Sequence, residues 1–271
     1  MLAHTLFDNP GPTVALLHGV GGGRRIWSAD CSGTAQALAD AGWRVLALDL
    51  PGYGDSSLPA KADGALSLAG MARAVTDTLQ TLGARPAVLL GHSMGGMVAQ
   101  EILATDPRAV SAAVLACTSS AFGKPGGDWQ AAFLASRLAP LDAGLGMPAL
   151  ARQLVAGMVA PAASADTVAR AAAVMALVPE ATYRAALQAI VAFDRREALS
   201  RIAVPILCLA GEHDRTAPPE LMQRMAQRIP GAVFACLPGA GHLANVEQPA
   251  AFDQAVIAFL NAHVPRAPSA S

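Results

Sequence analysis

The sequence predicts an α/β fold: a doubly wound, mostly parallel sheet with an all-helical segment inserted between two of its strands. Three observations carry that expectation. Short, nearly continuous apolar runs alternate with longer Ala- and Leu-rich segments of helical spacing, and parallel strands covered on both faces are apolar throughout rather than alternating. Hydrophobic residues make up 53% of the chain against 14% charged, enough apolar surface for a large core and too much for a disordered chain. The strand–helix alternation then stops between Ser119 and Leu199, where Ala-, Leu- and Met-rich pieces are separated by Pro125, Pro140, Pro148, Pro161 and Pro179.

In chain order, the apolar runs Thr13–Leu17, Arg44–Leu48, Ala87–Leu90, Val110–Ala116, Ile206–Ala210 and Val233–Leu237 read as strands. Asp30–Ala41, Leu68–Leu82, Gly95–Thr105, Glu220–Ile229 and Ala250–His263 read as helices. Such alternation implies right-handed crossovers between parallel strands. We expect residues 1–118 and 200–264 to form the core, 119–199 a helical lid over one end of the sheet, and 265–271, rich in Pro and Ser, a flexible tail.

Composition excludes several function classes. With 19 basic and 20 acidic side chains and no Lys/Arg cluster, neither a nucleic acid nor an anionic membrane is an expected partner. Cys31, Cys117, Cys208 and Cys236 lie far apart, so neither a zinc site nor a redox pair is expected, and the metal expectation is none. The N-terminus has no basic-then-apolar leader, and no run approaches the ~18 apolar residues of a membrane span. A cytoplasmic protein with reduced thiols, monomeric or homodimeric, is the expectation.

The chemistry is announced by Gly91-His92-Ser93-Met94-Gly95, directly after a strand and directly before a helix. A sharp strand-to-helix turn crowds the positions two residues either side of the serine, hence the glycines, and exposes the hydroxyl beside a helix N-terminus. A serine hydroxyl needs a base to become a nucleophile. Of six histidines, His4 and His263 lie near the ends. His242, in Gly239-Ala240-Gly241-His242 just beyond the strand Val233–Leu237, is at the carboxyl end of the sheet where open α/β folds bind ligands. An acid must hold that histidine's tautomer. Asp214, after the strand Ile206–Ala210, is preferred to Glu212, while Asp194 and Asp253 read as surface charges on helices. Backbone amides of Met94 and of Val20, in the loop His18-Gly19-Val20-Gly21-Gly22-Gly23, are the expected oxyanion donors. That loop also invites a dinucleotide reading, but Arg24 stands where the third glycine belongs, so no nicotinamide, flavin or other cofactor is expected.

These residues, with Trp27, Asp49-Leu50-Pro51-Gly52-Tyr53-Gly54-Asp55-Ser56, Gly211-x-x-Asp214 and Gly241-His242, resemble the α/β-hydrolase superfamily over essentially the whole chain. The chain looks most like the cofactor-free bacterial branch of 3-oxoadipate enol-lactonases and small esterases, on the elbow and on Ala192–Leu199. The resemblance implies a serine hydrolase cleaving a small-molecule carboxylic ester or lactone through an acyl-enzyme. A C–C bond hydrolase of vinylogous diketones, a cofactor-free perhydrolase or haloperoxidase, and a non-enzymatic ligand receptor are alternatives on the same residues. Leu243 stands where C–C hydrolases carry tryptophan. The late first strand implies that the opening β-hairpin is shortened or missing. A carboxylate-bearing substrate would call for a cation, and Arg24, with Arg25 beside it, is the sequence's best offer; Trp27 and His92 are the other candidate substrate contacts.

Overall fold

The computed structural model describes residues 1–58, 66–123 and 127–265. Among them seven strands form one sheet: β1 (His4–Phe7), β2 (Thr13–Leu17), β3 (Arg44–Leu48), β4 (Ala87–His92), β5 (Val110–Ala116), β6 (Ile206–Gly211) and β7 (Val233–Leu237). Their order across the sheet is β1-β3-β2-β4-β5-β6-β7. All neighbours run parallel except β1 with β3.

Six of these strands are the six apolar runs. β1 escapes the sequence criteria because it is a four-residue, half-buried edge strand without a continuous apolar run. It lies antiparallel on β3, from His4 opposite Leu48 to Phe7 opposite Val45. A single edge strand therefore stands where an opening hairpin was in question.

The helices follow in chain order: α1 (Thr34–Asp40), α2 (Leu68–Thr81) and α3 (Met94–Thr105), then α4 (Asp128–Asp142), α5 (Met147–Met158), α6 (Ala165–Ala176) and α7 (Glu180–Val191), then α8 (Pro219–Gln227), α9 (Ala244–Glu247) and α10 (Pro249–His263). α4 to α7 occupy the stretch between β5 and β6 where no strand was expected. α1 begins later than Asp30 because Gly33, at φ 75°, turns the chain just before it. The expected tail, 266–271, lies outside the described residues. No helix among the described residues is long and apolar enough to cross a membrane.

The core is the sheet itself. Val14 to Leu17, Val88 to Leu90 and Ala112 to Ala116 are fully buried, as a sheet covered on both faces requires. Three of the inserted helices, α5, α6 and α7, are tied to this core by polar contacts. Thr182 Oγ1 donates to the Gly52 carbonyl at 2.9 Å, Arg170 Nη1 to the Cys31 carbonyl at 2.8 Å, and the His242 amide to the Met158 carbonyl at 2.8 Å.

Two acids differ from their sequence reading. Asp194 lies beyond the end of α7, in an isolated bridge with Ala121 and an ion pair with Arg196, not on a helix. Asp253 is on α10 as expected but is buried, not a surface charge. Burial pushes its carboxyl up to about 6, against a lowering hydrogen bond from Thr34.

Candidate active site

Ser93 is the single residue between β4 and α3, at φ 52° and ψ −117°, a conformation that costs a non-glycine residue of order 1–3 kcal/mol. The turn is held by the Ser93 amide donating to the Ala116 carbonyl and by Thr118 Oγ1 donating to the Ser93 carbonyl at 2.8 Å. The flanking glycines are steric necessities. A Cβ on Gly91 would stand 2.4 Å from the Gly95 carbonyl oxygen, and one on Gly95 2.1 Å from the Leu17 carbonyl oxygen. No side chain fits at either position without moving backbone.

His242 Nε2 lies 3.0 Å from Ser93 Oγ, and its Nδ1 lies 2.8 Å from Asp214 Oδ2. The other Asp214 oxygen, Oδ1, accepts from the amides of Thr216 and Ala217 at 2.7 and 2.9 Å. Burial alone would raise the Asp214 carboxyl, but the facing His242 and these amides outweigh it and hold the carboxyl below its usual range. Ionised Asp214 accepts the hydrogen bond of His242 Nδ1–H through Oδ2, which leaves Nε2 as the acceptor toward Ser93. Glu212, the competing acid, is exposed and accepts instead from the Gly239 amide.

The loop that carries His242 is fastened by Glu247, which sequence reasoning missed. Its Oε2 accepts from the Gly241 and Ala160 amides at 2.9 and 2.6 Å, and its Oε1 from the Leu243 amide at 3.0 Å. A Cβ on Gly241 would meet Met158 and Ala160 backbone at 2.6–2.7 Å, so the loop and the end of α5 are packed main chain to main chain.

Opposite Ser93 runs the glycine loop after β2. A Cβ on Gly19 would be 3.2 Å from both His92 and Ser93, which places this loop directly over the serine. His18 is wholly buried. Its Nε2 accepts from the Leu50 amide at 3.0 Å and its Nδ1 contacts the Gly19 carbonyl at 2.8 Å, so it splints the loop to the chain leaving β3. Burial holds His18 near 4, hence neutral. Tyr53 donates to the Val20 carbonyl at 3.0 Å, fixing the peptide plane that follows Val20. Met94 opens α3, where an amide has no partner within the helix. Asp49 and its following loop prove architectural: buried Asp49 accepts from the Arg24 and Asp55 amides at 2.7 and 3.2 Å.

Ser93 and His242 open on a cavity of about 450 Å³, lined also by Val20, Met94 and His92 and walled by residues of α4, α5, α6 and α7 such as Phe133, Met158, Met175 and Leu187. Its walls are mostly apolar.

Two expected substrate contacts are corrected. The Arg24 guanidinium is occupied by Asp49 and, at 2.6 Å, by Asp55, and it faces a separate cleft of about 270 Å³. Trp27 has no exposed surface and is core packing, while its neighbour Ile26 reaches the cavity wall. His92 does line the cavity, but its Nε2 donates to the His242 carbonyl at 2.7 Å. Burial chiefly, with repulsion from His242, lowers His92 to about 4 and keeps it neutral. Among the described residues no group of three His, Cys, Asp or Glu side chains is arranged to hold a metal ion.

A family model described as the alpha/beta hydrolase fold matches residues 12–249. The chain belongs to the α/β-hydrolase fold family. Among individual relatives it is 32% identical to RutD of Variovorax paradoxus (strain S110), a protein provisionally named a carbamate hydrolase, over 92% of each chain. Among solved structures it resembles a thermophilic esterase from Thermogutta terrifontis with malate bound, at 27% identity and TM-score 0.82, covering 96% of this chain and 93% of the esterase. It also resembles the enol-lactonase from Burkholderia xenovorans LB400, at 25% identity and TM-score 0.81, covering 96% of each chain.

Proposed function

We propose that this α/β-hydrolase-family protein is a serine hydrolase that cleaves a small-molecule carboxylic ester or lactone through an acyl-enzyme intermediate. The observation that carries the reading is the hydrogen-bonded chain Ser93–His242–Asp214 at the foot of a mostly apolar cavity. Ser93 Oγ attacks the scissile carbonyl carbon as its proton passes to His242 Nε2. The carbonyl oxygen becomes an oxyanion between the Val20 and Met94 amides, in a site where fixed donors act at low dielectric. As the tetrahedral adduct collapses, the His242 proton goes to the leaving oxygen. Water then gives its proton to His242 and its oxygen to the acyl carbon, releasing the acid and restoring Ser93. In this reading α4 to α7 form a lid that keeps bulk water from the acyl-enzyme.

The likeness to RutD favours a second reading, in which the scissile carbonyl belongs to a carbamate. The attack by Ser93 is the same, and the two readings differ in the substrates turned over.

The pH profile tests the proton bookkeeping. His242 must be neutral to accept the serine proton, so protonation abolishes activity on the acid side. His18 and His92, held near 4, and Asp214, held below its usual range, do not change charge between about pH 5 and 8. We therefore expect any acid-side loss of kcat/KM on 4-nitrophenyl butanoate in that interval to follow a single proton, since none of those three groups adds a second. A limb of two protons would contradict His242 as the sole base.

A further inference from the structure

Three consecutive amides of the loop that carries the base are each paired. The Gly241 amide donates to Glu247 Oε2 at 2.9 Å, the His242 amide to the Met158 carbonyl at 2.8 Å, and the Leu243 amide to Glu247 Oε1 at 3.0 Å. The His242 carbonyl accepts from His92 Nε2 at 2.7 Å. The main chain around the base is thus held at every polar group, and Glu247 alone grips it on both sides of His242. Glu247 ends α9, a helix of four residues that opens directly after Leu243, so its side chain folds back over that helix's own first turn. Capping that turn, where a carboxylate is favoured, would be its whole role if its contacts stopped at Leu243.

Its contacts go further. Oε2 also accepts, at 2.6 Å, from the amide of Ala160, which lies 87 residues earlier in the chain, between α5 and α6. One oxygen therefore joins the loop of the base to the inserted helices. The sheet closes on the same peptide from the other side: a Cβ on Gly211, at the end of β6, would stand 2.1 Å from the Gly241 carbonyl oxygen. The site calls for a group that only accepts. An ionised carboxylate takes three N–H donors with no donor of its own, whereas an amide of the same shape turns its NH₂ group toward at least one of them. A donor facing a donor is relieved by movement of the main chain, and His242 sits between the two loop amides concerned. Rate is steep in such a movement, because His242 Nε2 must stay within hydrogen-bond reach of Ser93 Oγ, 3.0 Å away.

We infer that Glu247 is a positioning residue of the hydrolysis: by tying the loop on both sides of His242 to the end of α5, it fixes the base against Ser93. This rests on the reading of Ser93 and His242 as nucleophile and base. Glu247 is not among the residues lining the cavity, so it acts through His242 and not on the substrate.

The test measures kcat and KM on 4-nitrophenyl butanoate for the parent, Glu247→Gln, His242→Ala and the double variant. Glu247→Gln should lower kcat by roughly 10- to 100-fold, the scale of a displacement of about 1 Å, with KM within about threefold of the parent. In the His242→Ala background the same substitution should change the residual rate by less than about twofold, since a residue that acts through the base then has nothing to act on. Glu212→Gln, at an exposed acid bonded only to the Gly239 amide of this loop, should leave kcat close to that of the parent. A loss of kcat smaller than about tenfold in Glu247→Gln, an effect carried by KM, or an equal loss in the His242→Ala background overturns the assignment. Should Glu247→Gln not fold, Glu247→Asp, whose carboxylate is one methylene short of the three amides, is held to the same outcomes. A proton resonance separates this inference from the hydrolase reading. The low-field signal of His242 Nδ1–H, bonded to Asp214 and assigned by its loss in His242→Ala, should shift or broaden in Glu247→Gln. If it does so while the parent turns over no ester, the positioning role stands and the hydrolase reading fails. If the parent turns over esters while both kcat and the signal are unchanged in Glu247→Gln, the positioning role fails alone.

Discussion

Ser93→Ala is expected to lower kcat on a responsive ester by ~10⁴-fold or more, leaving only what oxyanion donors and substrate binding supply. The substitution removes one oxygen and little else. His242 Nε2 is the partner of Ser93 Oγ, whereas the turn is held by the Ser93 main chain through Ala116 and Thr118. Thermal unfolding should therefore be close to that of the parent, so that loss of activity reports chemistry and not folding. Activity within about tenfold of the parent would remove Ser93 from the mechanism.

Asp214→Asn should cost nearly as much, ~10³- to 10⁴-fold in kcat, for a reason specific to this geometry. Oδ1 of Asp214 is claimed by two main-chain donors, Thr216 and Ala217. An asparagine must therefore place its oxygen there, which turns its NH₂ group toward His242 Nδ1. Nδ1 then becomes the acceptor, the ring proton moves to Nε2, and Nε2 can no longer take the proton of Ser93. Substrate binding should change little, because Asp214 is buried and is not among the residues lining the cavity. A loss smaller than about tenfold would mean that another group sets the His242 tautomer.

The parts of the molecule that were legible in the sequence are those whose physics is local. Six strands announced themselves because each is apolar on both faces, while β1, half-buried at an edge, carries no such mark. The Ser93 turn was legible because backbone crowding against Leu17, Gly95 and Gly96 leaves glycine alone at positions 91 and 95. The side chains of Ser93, His242 and Asp214 were singled out by their places after strands, and the structure brings those three within hydrogen-bond distance. What stayed hidden depends on distant partners. Glu247 sits on a one-turn helix, and its role shows only when Gly241, Leu243 and Ala160 converge on it. Arg24 read as a free cation because nothing in its neighbourhood reveals that Asp49 and Asp55 return to it.

The central claim is that Ser93 is an activated nucleophile with His242 as its base, and covalent labelling tests it with the least dependence on substrate choice. The parent and His242→Ala are exposed to a fluorophosphonate, then analysed by intact mass and peptide mapping. The account predicts one adduct on the parent, carried by Ser93, and none on His242→Ala over the same time. No adduct on the folded parent, or equal labelling of Ser93 in both proteins, would contradict it.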